Sequence, residues 1–374
     1  MQLTRDAVLG LGTALPRHRL RQTDAAEALA DLVDADRKLV RRVFRLAGID
    51  VRHTCVDGFT QDDPGLLLGR PSLTTARRME LYAEHAPPLA AEAARRALRS
   101  GAVRASEIDH VIFVSCTGFV APGPDVAVMR LLGLRPDVER TLIGFMGCQA
   151  AFNGLRVARS LARDGRTVLM VCVELCSLHV QPEATRDALV AASLFGDGAA
   201  AVVVGCETAS RPALLRPAHA ASLVIPDGGA HMAWEIGDTG FRMRLSSYLP
   251  QLLGADISAF VAPVIEGREI ASWCVHPGGP AILTRIESAL GLRPGDLAAA
   301  RAALRAHGNL SSATVLFVLE RELARLHEGE QGLMLGFGPG LTLEALAFSR
   351  GPARVAPTSR LQGSAYHTAA ARPV

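Results

Sequence analysis

Short apolar runs rich in β-branched residues alternate along the chain with longer segments of helical period, and after an interruption the alternation starts again. Residues 111–115, 141–145, 167–173 and 199–204 read as buried strands, with residues 89–98, 149–161 and 187–194 as helices between or beside them. A loose segment follows at 207–222. Beyond it, 272–275, 332–336 and 343–348 have the character of strands, and 281–290 and 312–325 that of helices. Strands that are apolar at successive positions must be covered on both faces, so helices are expected to flank them. The pattern therefore predicts an α/β layered fold. A chain of 374 residues exceeds the length at which one hydrophobic core usually stops growing. Two α/β halves are expected, residues 1–215 and 216–350, joined near residue 215. Residues 351–374 are dominated by Pro, Ala, Ser and Thr without periodicity and are expected to form a disordered tail.

Composition narrows the function classes. A net charge of +3 gives no basic stripe with which to hold nucleic acid. No stretch reaches the roughly 18 apolar residues of a membrane span, and the longest candidate, 167–180, is interrupted by Glu174. At the amino terminus Arg5 and Asp6 precede a short Ala-Val-Leu-Gly run with no convincing cleavage site. Seven cysteines, an odd number, do not compose a disulfide framework, so the reducing cytoplasm is the expected compartment. Cys172, Cys176 and His179 could pass for metal ligands. They fall in and just after an apolar strand, however, and no second cluster completes a set of four. Neither a metal nor a cofactor is expected.

Three residues at element boundaries carry chemical promise. Cys148 stands where the strand at 141–145 gives way to the helix at 149–161, behind Gly147, which permits a tight turn. A thiol at a helix N-terminus meets the positive end of the dipole, which favours the thiolate. The alternative is a small buried hydrophobe, as free cysteines commonly are, and packing is the expectation for Cys55, Cys116, Cys172, Cys206 and Cys274. His276 ends an apolar strand before Pro-Gly-Gly-Pro, a turn that can aim its ring into a cleft. His85, His110, His307 and His327 lie in polar or helical surroundings that suit surface histidines. Asn309, within Gly-Asn-Leu-Ser-Ser-Ala at 308–313, is either a turn or cap residue, with Ser311 and Ser312 as equally good caps, or an amide donor aimed at a developing oxyanion. A thiolate, an imidazole and an amide are the groups that decarboxylative condensation needs. One attacks an acyl thioester; the others stabilise the enolate formed when a malonyl thioester loses carbon dioxide.

These residues lie in motifs that occur together in one family. Gly147-Cys148, Leu-Phe-Gly-Asp-Gly at 194–198, His-Pro-Gly-Gly-Pro-Ala-Ile-Leu at 276–283, Gly-Asn-Leu-Ser-Ser-Ala at 308–313 and Gly-Phe-Gly-Pro-Gly-Leu-Thr at 336–342 resemble, in that order, the type III polyketide synthases, the chalcone synthase-like group. The resemblance runs to about Arg350. It implies a thiolase-like αβαβα fold in two similar halves, a homodimer, and a buried cavity reached by a tunnel for the pantetheine arm of CoA. The family's triad carries onto Cys148, His276 and Asn309, the first two as a thiolate–imidazolium pair. Its gatekeepers carry onto Phe195 and, counting from Gly240 and Pro250, onto Met243, which departs from plant members. Ser311 and Gly338 fall in the substrate-contacting motifs, and the Gly-rich loop at 336–340 is implied to shape the cavity floor. The family's basic CoA-binding helix matches 38–45, with Arg42 as the best single position and a solvated helix face as the alternative.

Phe-Met-Gly-Cys-Gln-Ala-Ala at 145–151, Glu-Leu-Cys-Ser-Leu-His at 174–179 and Trp-Glu-Ile-Gly-Asp-Thr-Gly-Phe at 234–241 are similar to bacterial alkylresorcinol and alkylpyrone synthases, which extend long fatty acyl-CoA starters with malonyl-CoA. Cys176 matches a cavity-lining position, where a small side chain opens room for an alkyl tail, while Trp234 would narrow the same region. Three alternatives stay open: a tetrahydroxynaphthalene synthase using malonyl-CoA alone, a ketoacyl-ACP synthase III-like enzyme that condenses once, and a non-catalytic acyl-binding scaffold.

Overall fold

The computed structural model describes residues 6–33, 35–56, 73–246 and 248–352; the expected tail, apart from Gly351 and Pro352, lies outside them. The chain opens with β1 (Asp6–Ala14), β2 (His18–Arg21), α1 (Gln22–Leu32), α2 (Arg37–Leu46), β3 (Val51–Thr54) and α3 (Thr75–Gly101). It continues through β4 (His110–Ser115), α4 (Pro124–Leu132), β5 (Glu139–Gly144), α5 (Ala150–Arg163), β6 (Val168–Leu175), α6 (Arg186–Leu194) and β7 (Asp197–Cys206). After it come β8 (Leu215–Val224), the hairpin β9 (Met232–Gly237) and β10 (Gly240–Leu245), α7 (Leu249–Ile265), β11 (Ile270–Val275), α8 (Pro280–Leu290), α9 (Ala298–His307), α10 (Thr314–Leu323), β12 (Gln331–Gly338) and β13 (Thr342–Arg350).

Nine strands share hydrogen bonds in the order β11-β12-β13-β8-β1-β7-β6-β4-β5. The junction in the middle is slight, because β1 and β8 pair through Val8 and Leu215 alone. On either side the same arrangement appears. β1 is antiparallel to β7, β7 antiparallel to β6, and β6 parallel to β4. Likewise β8 is antiparallel to β13, β13 antiparallel to β12, and β12 parallel to β11. The chain thus builds one α/β frame twice. Every residue of β6 is buried, as its unbroken apolar run requires.

α5 precedes β6 as α10 precedes β12, and both helices lie in the interior. α5 touches β4, β6, β7, β1 and β13, while α10 touches β11 and β12 and also β1 and β7. They form the middle layer between the two portions of sheet, with α3 on the far side of β1, β6 and β7. Gly10 and Gly12 in β1 let α3 approach to backbone contact, since a Cβ at Gly10 would overlap the Ala97 carbonyl. The result is a thiolase-like layered α/β fold.

Several expectations need correction. The segment at 207–222 is not loose throughout, because β8 occupies its second half. β8 carries Pro217 and His219, exposes most of its residues and owes its strand form to pairing with β13. The Ala-Val-Leu-Gly run near the amino terminus is β1, near the centre of the sheet. His110 is buried in β4, with its Nε2 2.8 Å from the Thr141 hydroxyl, not on the surface.

Candidate active site

β5 stops at Gly144, and the chain turns through two left-handed residues, Phe145 (φ +57°) and Gly147 (φ +93°), before entering α5. A Cβ on Gly147 would overlap Pro339, so only glycine lets this turn press against the β12–β13 loop. Cys116, just beyond β4, accepts the Gly147 N–H at 3.0 Å, and Ala150 donates its N–H to the Gly147 carbonyl at 3.0 Å. Cys148 is fixed between these two bonds at the mouth of the helix. Its side chain is buried, and its thiol lies 3.7 Å from the Ser311 hydroxyl. Burial pushes the thiol up to about 12, against opposing hydrogen bonds from Ser311 and Asn309.

His276 follows directly on β11 and extends its ladder by donating its N–H to the Leu335 carbonyl at 2.8 Å. The ring stands edge-on to Phe337 at 5.6 Å. Its Nδ1 has no hydrogen-bond partner among the described residues, and burial lowers the imidazole to about 3. Each shift is a desolvation penalty that disfavours the charged form of that group taken singly, while the attraction between thiolate and imidazolium in the pair the resemblance implies acts the other way.

Asn309 is held from both sides. Its N–H donates to the Leu194 carbonyl at 2.8 Å, and its carbonyl accepts the Gly196 N–H at 2.9 Å. The side-chain Oδ1 accepts the Ser311 N–H at 2.9 Å and the Thr314 hydroxyl at 3.2 Å. Because a backbone N–H can only donate, the amide orientation is determined, and its NH₂ is the end left for the cavity.

One cavity is lined by Cys148, His276 and Asn309 together with Ser311, Phe195 and Met243. Cys176 and Trp234 lie on its wall as well. Two expected positions do not line it. Gly338 ends β12 beneath the Gln149 side chain, whose Oε1 occupies the place a Cβ would take. Arg42 is on the exposed face of α2. Among the described residues no group of three His, Cys, Asp or Glu side chains is placed to hold a metal ion.

Beside the expected Trp234, three further residues around the site were given no role there by the sequence reading: Glu174, His179 and Cys116. Glu174, fully buried near the end of β6, accepts the Cys116 N–H at 3.0 Å, the Thr117 hydroxyl at 2.9 Å and the Ser312 hydroxyl. Burial raises its carboxyl to about 7, against those three bonds. His179 stacks on Phe241 at 4.1 Å; its Nε2 lies 2.7 Å from the Thr117 carbonyl and its Nδ1 accepts the Phe241 N–H. Trp234 stands edge-on to both rings and donates its indole N–H to the Cys116 carbonyl at 2.8 Å. Cys116, expected only to pack, borders the cavity and tethers the turn before Cys148. A lone carboxylate inside an otherwise apolar strand was the one sequence signal for this second group.

Residues 3–208 match the pattern of chalcone and stilbene synthases, N-terminal domain, and residues 217–350 that of their C-terminal domain. The chain belongs to the chalcone and stilbene synthase family. A similar protein from Mycobacterium tuberculosis, an alpha-pyrone synthesis polyketide synthase-like Pks18, is 32% identical over 354 residues, covering 91% of this chain and 90% of the relative. Among solved structures, the C-terminal type III polyketide synthase domain of Steely1, a type I/III hybrid from Dictyostelium, superposes with a TM-score of 0.87 at 28% identity, covering 92% of this chain and 99% of that one. PKS-I from the brown alga Ectocarpus siliculosus gives a TM-score of 0.87 at 29% identity, over 94% and 99% of the two chains. This type III polyketide synthase is an acyltransferase whose family uses malonyl-CoA and acyl-CoA. No helix among its described residues is long and apolar enough to cross a membrane.

Proposed function

We propose that this synthase transfers a long-chain fatty acyl group from CoA to Cys148, extends it with malonyl-CoA, and releases an alkylpyrone or alkylresorcinol. The observation that carries this reading is the convergence of Cys148, His276 and Asn309 on one buried cavity whose wall continues through Met232, Met243, Leu245, Leu249 and Ile282. An apolar wall of this length suits an alkyl chain, and the α-pyrone relative favours the lactone product.

The Cys148 thiol passes its proton to His276, so that net charge in the dry cavity is unchanged, and the thiolate attacks the acyl thioester. CoA leaves as a thiolate and takes the proton from the imidazolium. Malonyl-CoA then loses carbon dioxide; the electron pair of the broken bond becomes an enolate, whose oxygen is held by the imidazole N–H and the Asn309 amide. The enolate carbon attacks the acyl-cysteine, expels the Cys148 thiolate and leaves a β-keto thioester on CoA, ready for another round. Phe195 and Met243 gate the thioester's approach, Ser311 holds the thiol, and Arg42 contacts the CoA phosphates from α2. Cys176 leaves room for the alkyl tail, and Trp234 narrows the same region. Gly338 acts indirectly, by making room for the Gln149 side chain beside the Cys148 backbone. Residues 1–215 supply the thiol and 216–350 the histidine and asparagine.

The working enzyme is a homodimer on this reading. β5 is an edge strand, and around it Leu142 (53% exposed), Met146 (41%) and Phe119 (40%) present apolar surface two residues and more from Cys148. Sedimentation as a monomer at micromolar concentration would remove this part of the proposal.

Product mass spectrometry with malonyl-CoA, with and without fatty acyl-CoA starters, tests the whole. Starter-dependent pyrones or resorcinols are expected. A naphthalene product from malonyl-CoA alone would overturn the starter assignment. Cys148→Ala should abolish acyl loading, whereas His276→Ala and Asn309→Ala should mainly impair decarboxylation; labelled acyl-enzyme in Cys148→Ala would exclude Cys148 as the nucleophile.

A further inference from the structure

Arg52, in β3, is a cation whose side chain has left the surface. The residue is 5% exposed, although a string of solvated arginines lies nearby on α2. Its Nη1 donates to two backbone carbonyls, those of Ala192 and Phe195, the latter at 2.8 Å. Its guanidinium carbon sits 5.6 Å from the centre of the Phe44 ring, on the buried face of α2. Asp197 is the acidic group that offsets the charge from nearby, but its own oxygens are engaged by the Cys55 N–H, the Ser177 N–H and the Ser177 hydroxyl.

The position of those carbonyls matters. The end of an α-helix leaves its last carbonyls without intrahelical partners, and here α6 ends in the interior. Each of the carbonyls at its end is accounted for. Ala192 and Phe195 are taken by Arg52, Ser193 by the Gln22 amide at 2.8 Å, and Leu194 by the backbone N–H of Asn309. A cation is also the favoured charge at this end of a helix. The aliphatic part of Arg52 is equally constrained. A Cβ on Gly196 would lie 3.4 Å from it, and one on Gly308 would lie 3.0 Å from its Cγ and 2.9 Å from the Leu194 carbonyl. Arg52 thus touches both short segments that bond to each other at Phe195 and Asn309.

We propose that Arg52 is a positioning residue that locks the end of α6 to the Gly308–Asn309 segment, so fixing the Asn309 amide and the Phe195 ring relative to one another. The claim rests on the reading of Asn309 as the group that serves malonyl decarboxylation. It assigns Arg52 no contact with substrate. Losing the guanidinium leaves two buried carbonyls unpaired at the one place where gate and amide are joined, whereas the Cys148 turn is held by separate bonds to Cys116 and Ala150.

The test is Arg52→Met in the full-length protein, with two half-reactions and one structural readout. Decarboxylation of malonyl-CoA should fall at least 30-fold, while acyl transfer from acyl-CoA to Cys148, read by intact mass, changes less than threefold. Hydrogen exchange should accelerate at the amides of Gly196 and Asn309 and not across β6 or β12. Arg52→Lys, which keeps one charged donor, should recover part of the decarboxylation. Gly308→Ala strains the same junction from the other side, at φ +75°, and should reproduce the selective loss if Arg52→Met is too unstable to purify. Equal loss of both half-reactions, or exchange that is unchanged or accelerated everywhere, would overturn the proposal. If the unaltered enzyme decarboxylates nothing, the reading of Asn309 fails, and hydrogen exchange still decides whether Arg52 locks the junction.

Discussion

Glu174→Gln tests the electrostatic account of the cavity. The carboxyl is fully buried, and its hydrogen bonds from Ser312, Cys116 and Thr117 do not outweigh desolvation, which raises it from an ordinary 4.5 to about 7. That displacement costs the charged form about 3 kcal/mol. Below pH 4.5 the group is protonated in folded and unfolded chains alike, and no cost arises. Between 4.5 and 7 the folded chain keeps a proton that the unfolded chain has released, so stability falls as pH rises. Above about 7 the full cost is present. Glutamine has the same shape, its oxygen can accept from the Cys116 N–H and Thr117 hydroxyl, and its NH₂ can donate to the Ser312 hydroxyl, giving up only the Ser312 backbone N–H that the carboxyl also accepts. The variant should match the wild type within about 1 kcal/mol near pH 5 and exceed it by about 3 kcal/mol at pH 8.5. Urea titrations of both proteins at the two pH values give the difference, and other titrating groups cancel from it. A gap that is the same at both pH values, or a variant less stable at pH 8.5, would refute the reasoning.

Gly338→Ala should reduce acyl loading of Cys148 more than tenfold by intact mass, because the new Cβ must displace the Gln149 side chain next to the Cys148 backbone; Gln149→Ala in the same chain should restore part of it. His179 and His276 are both lowered to about 3 by burial. As pH falls below 6.5 the unfolded chain takes up protons that these two histidines refuse in the folded chain, so each lowers stability toward pH 3 while the buried carboxyls act the other way. His276→Gln should gain on the wild type in urea titrations as pH falls from 6.5 toward 3, with a slope of about one proton in the difference. Trp234→Phe keeps a ring on the cavity wall but leaves the Cys116 carbonyl without its indole donor. A loss of about 1 kcal/mol in urea titration is expected.

The sequence carried the parts of the molecule that obey local rules. The runs inside β4, β6 and β7 were legible because each is apolar at successive positions, and Cys148 and His276 because each interrupts a regular element beside glycine. β8 was not, since its residues are largely exposed and its pairing with β13 is supplied by a segment more than a hundred residues away. α7 was missed for a related reason: its apolar residues run nearly all round the helix, so no amphipathic stripe announced it. Arg52 was not singled out at all, because burial of a charge is decided by the carbonyls that receive it, and those belong to α6 and its C-terminal end. The desolvation of Cys148 and His276 was equally invisible, as it depends on how much protein closes over a group and not on its neighbours in sequence.

The repeated frame explains why so many chemical groups meet at one point. β4 corresponds to β11, and the residue after each is Cys116 and His276 respectively. α5 corresponds to α10, and two residues before each stand Cys148 and Ser312. β6 corresponds to β12, and the last residue but one of each is Glu174 and Phe337. Three equivalent places in two halves therefore converge on the middle layer, and the contacts cross between copies or stay within them according to residue type. Glu174 of the first half takes the Ser312 hydroxyl of the second, and Cys148 meets Ser311, while His276 stands against Phe337 of its own half. In the first copy these places hold two thiols and a carboxyl; in the second, an imidazole, a hydroxyl and a phenyl ring. A symmetric frame that carried the same residues twice would oppose like groups. Because the copies differ, a thiol from one and an imidazole from the other line the same cavity, and the reaction proposed here needs both.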